Sequence, residues 1–587
     1  MMPPLKVKPI FSDTTVTVFG TSNPDLINPD FPNSGLRFNI DAGAGNDTIY
    51  GGALNDIIRT GTGFDLVYAG EGDDVVYTDA SRDLIFGQGG NDRIFIGDST
   101  SGIRLIPTGV YGGEGNDTIY GGNGANAISG DGGNDTIHLR GSATKEDADP
   151  DRGFGGDGND LIIGSKGYDS IDGGAGNDTL FGNDGDDEII DESGSNLIYG
   201  GLGDDYIISL GNNTIYGEAG NDLVRTGNEN DQIDGGLGDD TLNSSGGADT
   251  LHGGDGDDAL NGGSGNDLIR GGLGNDYIGA GVGDDTVNGG AGDDIISGDS
   301  ISYAVEIPPT TGEVQPETIL TGNDLIFGGD GNDVIQDFYG KNVIHGESGN
   351  DDVFTGSGKD MLYGGLGDDS LYSGEGADTL HGGDGNDALD GGYGADIIRG
   401  GSGNDQIDGG SRFSLFGIKS SNNDTLFGED GDDLLISKTY RNGIDQLYGG
   451  TGNDTLIGGT DDLLYGGTGD DQIQVEANGV DVRDAGVISH IYGGLGTDQF
   501  DFTQSYFEFP NAFIHRSIIY DYTLGETVNF HVNDSFAAES AEWRVDAEAA
   551  SYGGANAVNL DLVIEGQSFY QVTLVGVTLE QYQAALA

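Results

Sequence analysis

The chain has 587 residues, of which 114 are glycine and only 34% are hydrophobic, a composition that cannot build several ordinary compact cores. Its 101 acidic residues against 23 basic ones give a formal charge of −78, which excludes the basic footprint of a nucleic-acid binder and opposes compaction unless cations neutralise it. Cysteine is absent, so neither disulfides nor thiolate metal sites are available, and no stretch, Met1 to Pro9 included, has the apolar run of a signal peptide or a transmembrane helix.

Residues 1–40 read as a lead-in segment with degenerate repeats, hinted at by Val16, Val18 and Asp25-Leu26-Ile27. From Asp41 a nine-residue frame takes over: a glycine-rich turn, an aspartate, any residue, then an aliphatic one. Gly271-Gly272-Leu273-Gly274-Asn275-Asp276-Tyr277-Ile278-Gly279 shows it in full. Numbering from Gly271, the aspartate is position six and the aliphatic residue position eight.

The position-six aspartates begin with Asp47, Asp56, Asp65, Asp74, Asp83 and Asp92, followed by Asp117, Asp135, Asp160, Asp169, Asp178, Asp187 and Asp205. Next comes an unbroken run of Asp222, Asp231, Asp240, Asp249, Asp258, Asp267, Asp276, Asp285 and Asp294. Asp324, Asp333, Asp351, Asp360, Asp369, Asp378, Asp387, Asp396 and Asp405 continue the series, and Asp424, Asp433, Asp445, Asp454, Asp462, Asp471 and Asp498 end it. Asn126, Asn196 and Asn342 stand where aspartate is expected, and a cation should be held there weakly or not at all.

Interruptions without the frame lie near 97–110, 141–152, 299–320, 411–422 and 476–490. The repeat therefore divides into 41–298 and 321–498 around an inserted loop, 299–320. After Asp498 glycine falls and alternating runs appear, Val528 to Val532 and Leu560 to Ile564, with Phe569, Val572, Leu574 and Val575 extending them and a short helix expected from Leu579 to Leu586. Residues 499–587 read as a small β-rich unit that caps an otherwise open strand edge.

The spacing has a physical consequence. Six residues of each nine form a turn and three a short strand, so positions seven and nine point outward and position eight inward. Two turns and two strands make a coil of eighteen residues, which brings Asp240, Asp258, Asp276 and Asp294 into one file and Asp231, Asp249, Asp267 and Asp285 into another. Carboxylates repeated at about 4.8 Å repel strongly, and a cation must sit between them. Carboxylate and turn carbonyl oxygens in a shell of about six to eight ligands suit Ca²⁺ better than Mg²⁺. If each key aspartate helped to hold one ion, the bound charge would reach about +76 as an upper bound against the formal −78, so binding should be folding.

This frame resembles that of the RTX proteins, also called hemolysin-type calcium-binding repeat proteins, over residues 41–498. The resemblance implies an all-β fold, a parallel β-roll solenoid interrupted by loops, with many Ca²⁺ ions bound per chain. It further implies export by type I secretion machinery through an uncleaved C-terminal signal, folding triggered by calcium outside the cell, and an extracellular or cell-surface location. Ile518-Ile519-Tyr520-Asp521-Tyr522, Gly525 to Val528 and Val572 to Val577 resemble the C-terminal end of such proteins.

Other motifs have simpler explanations. Gly356-Ser357-Gly358-Lys359-Asp360 lacks the spacing of a phosphate loop, and the Asn-Asp-Thr triplets at Asn46 and Asn177 belong to turns rather than to glycan acceptors. His138, His252, His345 and His381 fall at outward strand positions without zinc-protease spacing, and no serine-hydrolase elbow is credible. Tyr50, Tyr68 and Phe86 should stack on one outer face and Tyr77 and Phe95 on the other; cell-surface glycans, a partner protein or other copies of the chain could be met there, though cross-strand packing alone explains them. The expected function is a secreted structural, surface or adhesion protein without catalytic residues, since some twenty coils would give rods totalling about 100 Å and leave no enzyme domain. The alternative is a secreted enzyme, a hydrolase, protease or polysaccharide-modifying protein, with its site in the loops or in 499–587. Ice binding is disfavoured because position three is irregular through Ala219, Asn228, Leu237, Gly246 and Asp255.

Overall fold

A computed structural model describes residues 10–12, 15–28, 35–79, 82–98, 108–140, 150–299, 322–410, 423–437, 444–459, 461–478, 488–505, 515–522, 526–532, 543–552, 555–564, 567–575 and 577–585. Apart from Asp299, the expected loop 299–320 lies outside the described residues, as do 411–422 and most of the other interruptions. The chain divides into two compact units, Met1–Gly281 and Val282–Ala587.

Within each unit the strands stack in parallel, each pairing with the strand one coil away. In the first unit Thr250–Asp255 pairs with Leu268–Leu273, with Leu251 opposite Ile269, and Thr241–Asn243 pairs with Ala259–Ser264. In the second, Met361–Leu366 pairs with Thr379–Asp384 and Ser370–Tyr372 with Ala388–Asp390. Some strands keep the three residues expected from the spacing, as Thr241–Asn243 and Ser370–Tyr372 do, whereas others are longer: Thr250–Asp255 and Met361–Leu366 have 6. The reason is that backbones of stacked glycines remain close enough to extend the ladder, with Gly236 opposite Gly254 and Gly365 opposite Gly383.

Alternation places one aliphatic side chain inside per strand. Ile269 is fully buried between the exposed Leu268 and Arg270, and Ile198, Ile215, Ile233 and Leu251 precede it in the same buried file. In the second unit Ile344, Leu362, Leu380 and Ile398 form the equivalent file. Each repeat buries so little that only stacking on neighbours makes a core.

The interruptions do not disturb this register. Val287 pairs with Ile326 and Ile398 with Leu426, so each insertion leaves from the start of a turn, at Gly298 or Gly410, and returns by position four or five, at Gly322 or Asn423. Turns lie at the surface, where added chain costs little. Asp151, assigned from sequence to an interruption, is instead an ordinary position-six residue opposite Asp169.

At the N-terminal end Ile10–Ser12 runs antiparallel to Thr15–Phe19, which then starts the parallel stack against Arg37–Asp41. At the other end parallel stacking continues past Asp498: Ile488–Leu495 pairs with His515–Ile519 and Gln499–Ser505 with Thr527–Val532. Three antiparallel strands follow, Trp543–Tyr552, Ala555–Ile564 and Gln567–Val575, the last joined in parallel to His515–Ile519, before the helix Leu579–Ala585. No helix among the described residues is long and apolar enough to cross a membrane.

Candidate metal centre

An ordinary turn runs from a position-one glycine to the position-six aspartate, for example Gly253 to Asp258 and Gly346 to Asp351. Gly254 and Gly256 adopt φ of 124° and 144°, where only glycine is unstrained, and a side chain on Gly254 would lie 2.1 Å from the Gly236 carbonyl oxygen. Stacked turns therefore touch backbone to backbone.

Position-six carboxylates link successive coils through one oxygen. The amide of Asp222 donates to Oδ1 of Asp240 at 2.7 Å and that of Asp240 to Oδ1 of Asp258 at 2.8 Å. In the second unit Asp351 donates to Asp369, and Asp369 to Asp387, both at 2.9 Å. The other oxygen, Oδ2, is buried without a protein donor at Asp222, Asp240, Asp258, Asp351, Asp369 and Asp387.

These bare oxygens face the naked α-carbon of position one. A side chain on Gly253 would lie 2.2 Å from Asp258 Oδ2 and 2.7 Å from the Gly271 carbonyl oxygen of the next coil. Gly346 repeats the arrangement, at 2.3 Å from Asp351 Oδ2 and 2.7 Å from Gly364 O. A carboxylate oxygen and a peptide oxygen thus converge on a cradle that glycine keeps open.

Burial makes these carboxyls poor acids. It pushes Asp240 and Asp369 up to about 7, Asp187 to about 8 and Asp424 to about 9. The amide donated from the preceding coil opposes the shift, and neighbouring charges, Asp222, Asp258 and Asp239 in the case of Asp240, add to it. A buried carboxylate with an unmet oxygen is costly, and a cation held against it removes that cost.

All the sequence-predicted aspartates are buried, but not all keep Oδ2 open. Gly52, Ser165 and Gly459 donate their amides to Oδ2 of Asp56, Asp169 and Asp462 at 2.6, 2.5 and 2.6 Å. The Ser437 hydroxyl donates to Asp445, and Thr60 reaches Asp83 Oδ2 at 3.4 Å. At Asn126 the side-chain amide occupies the turn itself, donating to the carbonyls of Gly122 at 3.0 Å and Gly124 at 2.6 Å.

Asp151 and Asn213 also stand at position six, outside the aspartate series of the sequence. Asp151 accepts the Asn126 amide at 2.7 Å, but its repeat has Gly153 where the aliphatic residue belongs. Asn213 donates its amide to Asp231 at 2.7 Å; it is in frame with the run that follows but one residue out of frame with Asn196 before it. A second ladder runs along position five, which is mostly Asn or Asp and whose side chain accepts the amide of position five in the next coil. Asp239 donates to Asn221 at 2.8 Å, Asn275 to Asp257 at 2.8 Å, and Asp368 to Asn350 at 2.9 Å. Asn46 and Asn177 accept in the same way from Phe64 and Ser195, which gives the Asn-Asp-Thr triplets their structural part.

The aromatic files stack as expected. Tyr50 lies 5.1 Å from Tyr68 and Tyr77 5.1 Å from Phe95, with planes within 12° of parallel. His138, His345 and His381, expected at outward strand positions, stand in such files against Tyr120 and Tyr363, and burial lowers their pKa. Each ring covers its neighbour's face, so the files present edges rather than the flat faces on which sugars stack.

One family's sequence model, the RTX calcium-binding nonapeptide repeat, matches residues 39–67, 50–85, 68–98, 110–139, 154–189, 181–210, 208–242, 243–278, 280–300, 320–353, 354–389, 381–411, 420–437 and 441–473. The chain belongs to this family. No curated protein matches it. Among the described residues of this RTX chain no three His, Cys, Asp or Glu side chains converge on one point, so any ion must draw on backbone as well as side chains. The cradle beside Gly253 offers that mixture, carboxylate and peptide oxygens only, which fits Ca²⁺ and lacks the soft ligands of a zinc or copper site. This is a calcium-binding repeat protein.

Proposed function

We propose that the protein is exported, folds outside the cell as it binds many Ca²⁺ ions, and serves as a structural, cell-surface or adhesive element rather than as an enzyme. The observation behind this reading is the repeated cradle. Coil after coil, a buried carboxylate oxygen with no protein donor faces a bare glycine, so a chain of charge −78 contains its own requirement for divalent cations. At low calcium that repulsion would keep the chain open enough to pass through an exporter, and external calcium would then close it. Residues 499–587 are the segment we propose for recognition by type I secretion machinery.

The test is expression of the full chain and of a chain lacking residues 499–587 in a host with type I machinery, followed by fractionation of cells, surface wash and medium with and without EGTA. The reading expects the full chain outside the cell, protease-resistant only with calcium, and the shortened chain retained inside. Export of both forms alike would contradict the role of the C-terminal segment; a folded full chain confined to the cytoplasm would contradict the whole proposal.

A further inference from the structure

Toward the C-terminal end of the second unit one aromatic file becomes a run of tyrosines. Tyr448, Tyr465, Tyr492 and Tyr520 follow Phe427 on successive coils, each of them half-buried. Ring centroids are 4.8 Å apart from Tyr448 to Tyr465, 4.5 Å from there to Tyr492 and 4.6 Å on to Tyr520, with planes within 11° of parallel. At that separation the π-systems meet face to face, so an electron removed from one ring can be supplied by the next.

The last ring of the run has a base at its hydroxyl. Tyr520 Oη lies 2.6 Å from His490 Nδ1. His490 and Tyr492 stand on the outer side of Ile488–Leu495, either side of the buried Ile491, and the pairing of His490 with Ile518 sets Tyr520 against Tyr492 and beside the imidazole. Backbone contacts fix this corner. The Tyr520 amide donates to Ile491 O at 3.0 Å, and the Asp521 carboxylate accepts the amides of Gly493 and Gly494, each at 2.9 Å. With its own proton on Nε2, the neutral imidazole accepts the phenolic hydrogen at Nδ1.

Other stacked tyrosines are placed differently. Tyr448 donates its hydroxyl to Gln446 Oε1 at 3.0 Å, an amide oxygen too weakly basic to take a proton. His138 and His381 lie plane to plane with Tyr120 and Tyr363, within 4° of parallel, so each imidazole faces a ring rather than a hydroxyl. In the first unit Tyr199 and Tyr216 stack at 5.0 Å, the same contact without a histidine at either hydroxyl among the described residues.

Loss of an electron turns a phenol into a strong acid, and the oxidised ring persists where a positioned base takes its proton. We propose that Tyr520, with His490 as proton acceptor, is the site at which this tyrosine run gives up an electron to one-electron oxidants of the haem-peroxidase type. The oxidant gains one electron. The Tyr520 O–H bond breaks, its proton passes to His490 Nδ1, and a neutral phenoxyl radical is left beside an imidazolium. An oxidant that meets Tyr448 or Tyr465 first yields the same product, because electrons move along the file from Tyr520 to fill the vacancy. The site requires the stacked file and not any particular cation in the turns.

The test is treatment of the folded full chain with a haem peroxidase and hydrogen peroxide in the presence of a nitroso spin trap, with the trapped tyrosines located by mass spectrometry. Adducts at Tyr520 are expected to exceed those at Tyr448, Tyr199 and Tyr216 by at least about tenfold. Tyr520→Phe keeps a ring in the file but removes the phenol, and should leave Tyr492 labelled no more than Tyr199. His490→Gln keeps a hydrogen-bond acceptor without a base, and should lower the yield at Tyr520 by at least about tenfold while circular dichroism stays unchanged. His490→Ala, which opens space for a free base, should regain yield when imidazole is added. Equal labelling of Tyr520 and Tyr199, or a yield at Tyr520 that His490→Gln leaves unchanged, would overturn the proposal.

Discussion

The amide of Asp240 donates to Oδ1 of Asp258 at 2.8 Å, while Oδ2 of Asp258 has no protein donor. One oxygen of each carboxylate thus sets the distance between coils and the other waits beside a bare glycine. The same side chain serves stacking and ligation, which is why metal binding and folding should be a single event.

Gly253→Ala tests the cradle directly. Its side chain would fall 2.2 Å from Asp258 Oδ2, and the residue has no left-handed φ to confound the result. We expect at least about a tenfold rise in the calcium needed to protect this coil and a loss of about 1–3 kcal/mol, the usual cost of overpacking. Local hydrogen exchange across a calcium series measures both.

Asn126→Asp should convert a self-closed turn into a calcium-dependent one. The amide that donates to Gly122 and Gly124 is lost and a carboxylate appears in its place. Exchange protection of residues 118–128 is expected to fall in EGTA and to recover with calcium, whereas in the parent chain it should depend less on calcium at this turn than at Asp258.

Core and face should respond differently. Ile269→Ala empties a fully buried position and is expected to cost about 2–5 kcal/mol, whereas Leu268→Ala, at a residue 36% exposed, should change stability by less than about 0.5 kcal/mol. Because a solenoid unfolds coil by coil, the loss should appear as local exchange around 250–281 before any global transition.

Without calcium, acid should favour the stacked state. The position-six carboxyls rise from 3.8 to about 7 at Asp240, about 8 at Asp187 and about 9 at Asp424, so the folded chain binds protons more tightly than the unfolded one. The stabilisation from protonation is therefore complete below pH 3.8 and is lost as pH rises through about 7 to 9. Circular dichroism of the EGTA-treated chain should show β-structure gained on acidification, and calcium addition at pH 7 should release protons in proportion to the ions bound.

Much of this was legible in the sequence because the repeat obeys a strict period. The spacing from Asp222 to Asp294 assigns every inward aliphatic residue in that run and both carboxylate files, and the alternation after Asp498 marks Thr527–Val532, Ala555–Ile564 and Gln567–Val575 but not Trp543–Tyr552, with the helix at Leu579 expected beside them. What escaped notice depended on tertiary contact. Asp151 follows an interruption and precedes a glycine at position eight, so nothing local marks it as a member of the stack. Asp56 and Asp258 both hold position six, but position four is Leu54 in the first turn and Gly256 in the second; the Gly52 amide donates to Oδ2 of Asp56 at 2.6 Å, and no donor reaches that of Asp258. The position-five Asn and Asp residues were visible as a bias, but their hydrogen bonds exist only between coils.

The most direct test of calcium-driven folding is a calcium titration of the EGTA-stripped chain near pH 7.5, following far-UV circular dichroism and compactness while counting bound ions. Cooperative gain of β-structure with on the order of tens of ions per chain is the predicted result. A chain already folded without calcium, or one that saturates with only a few ions, would contradict it.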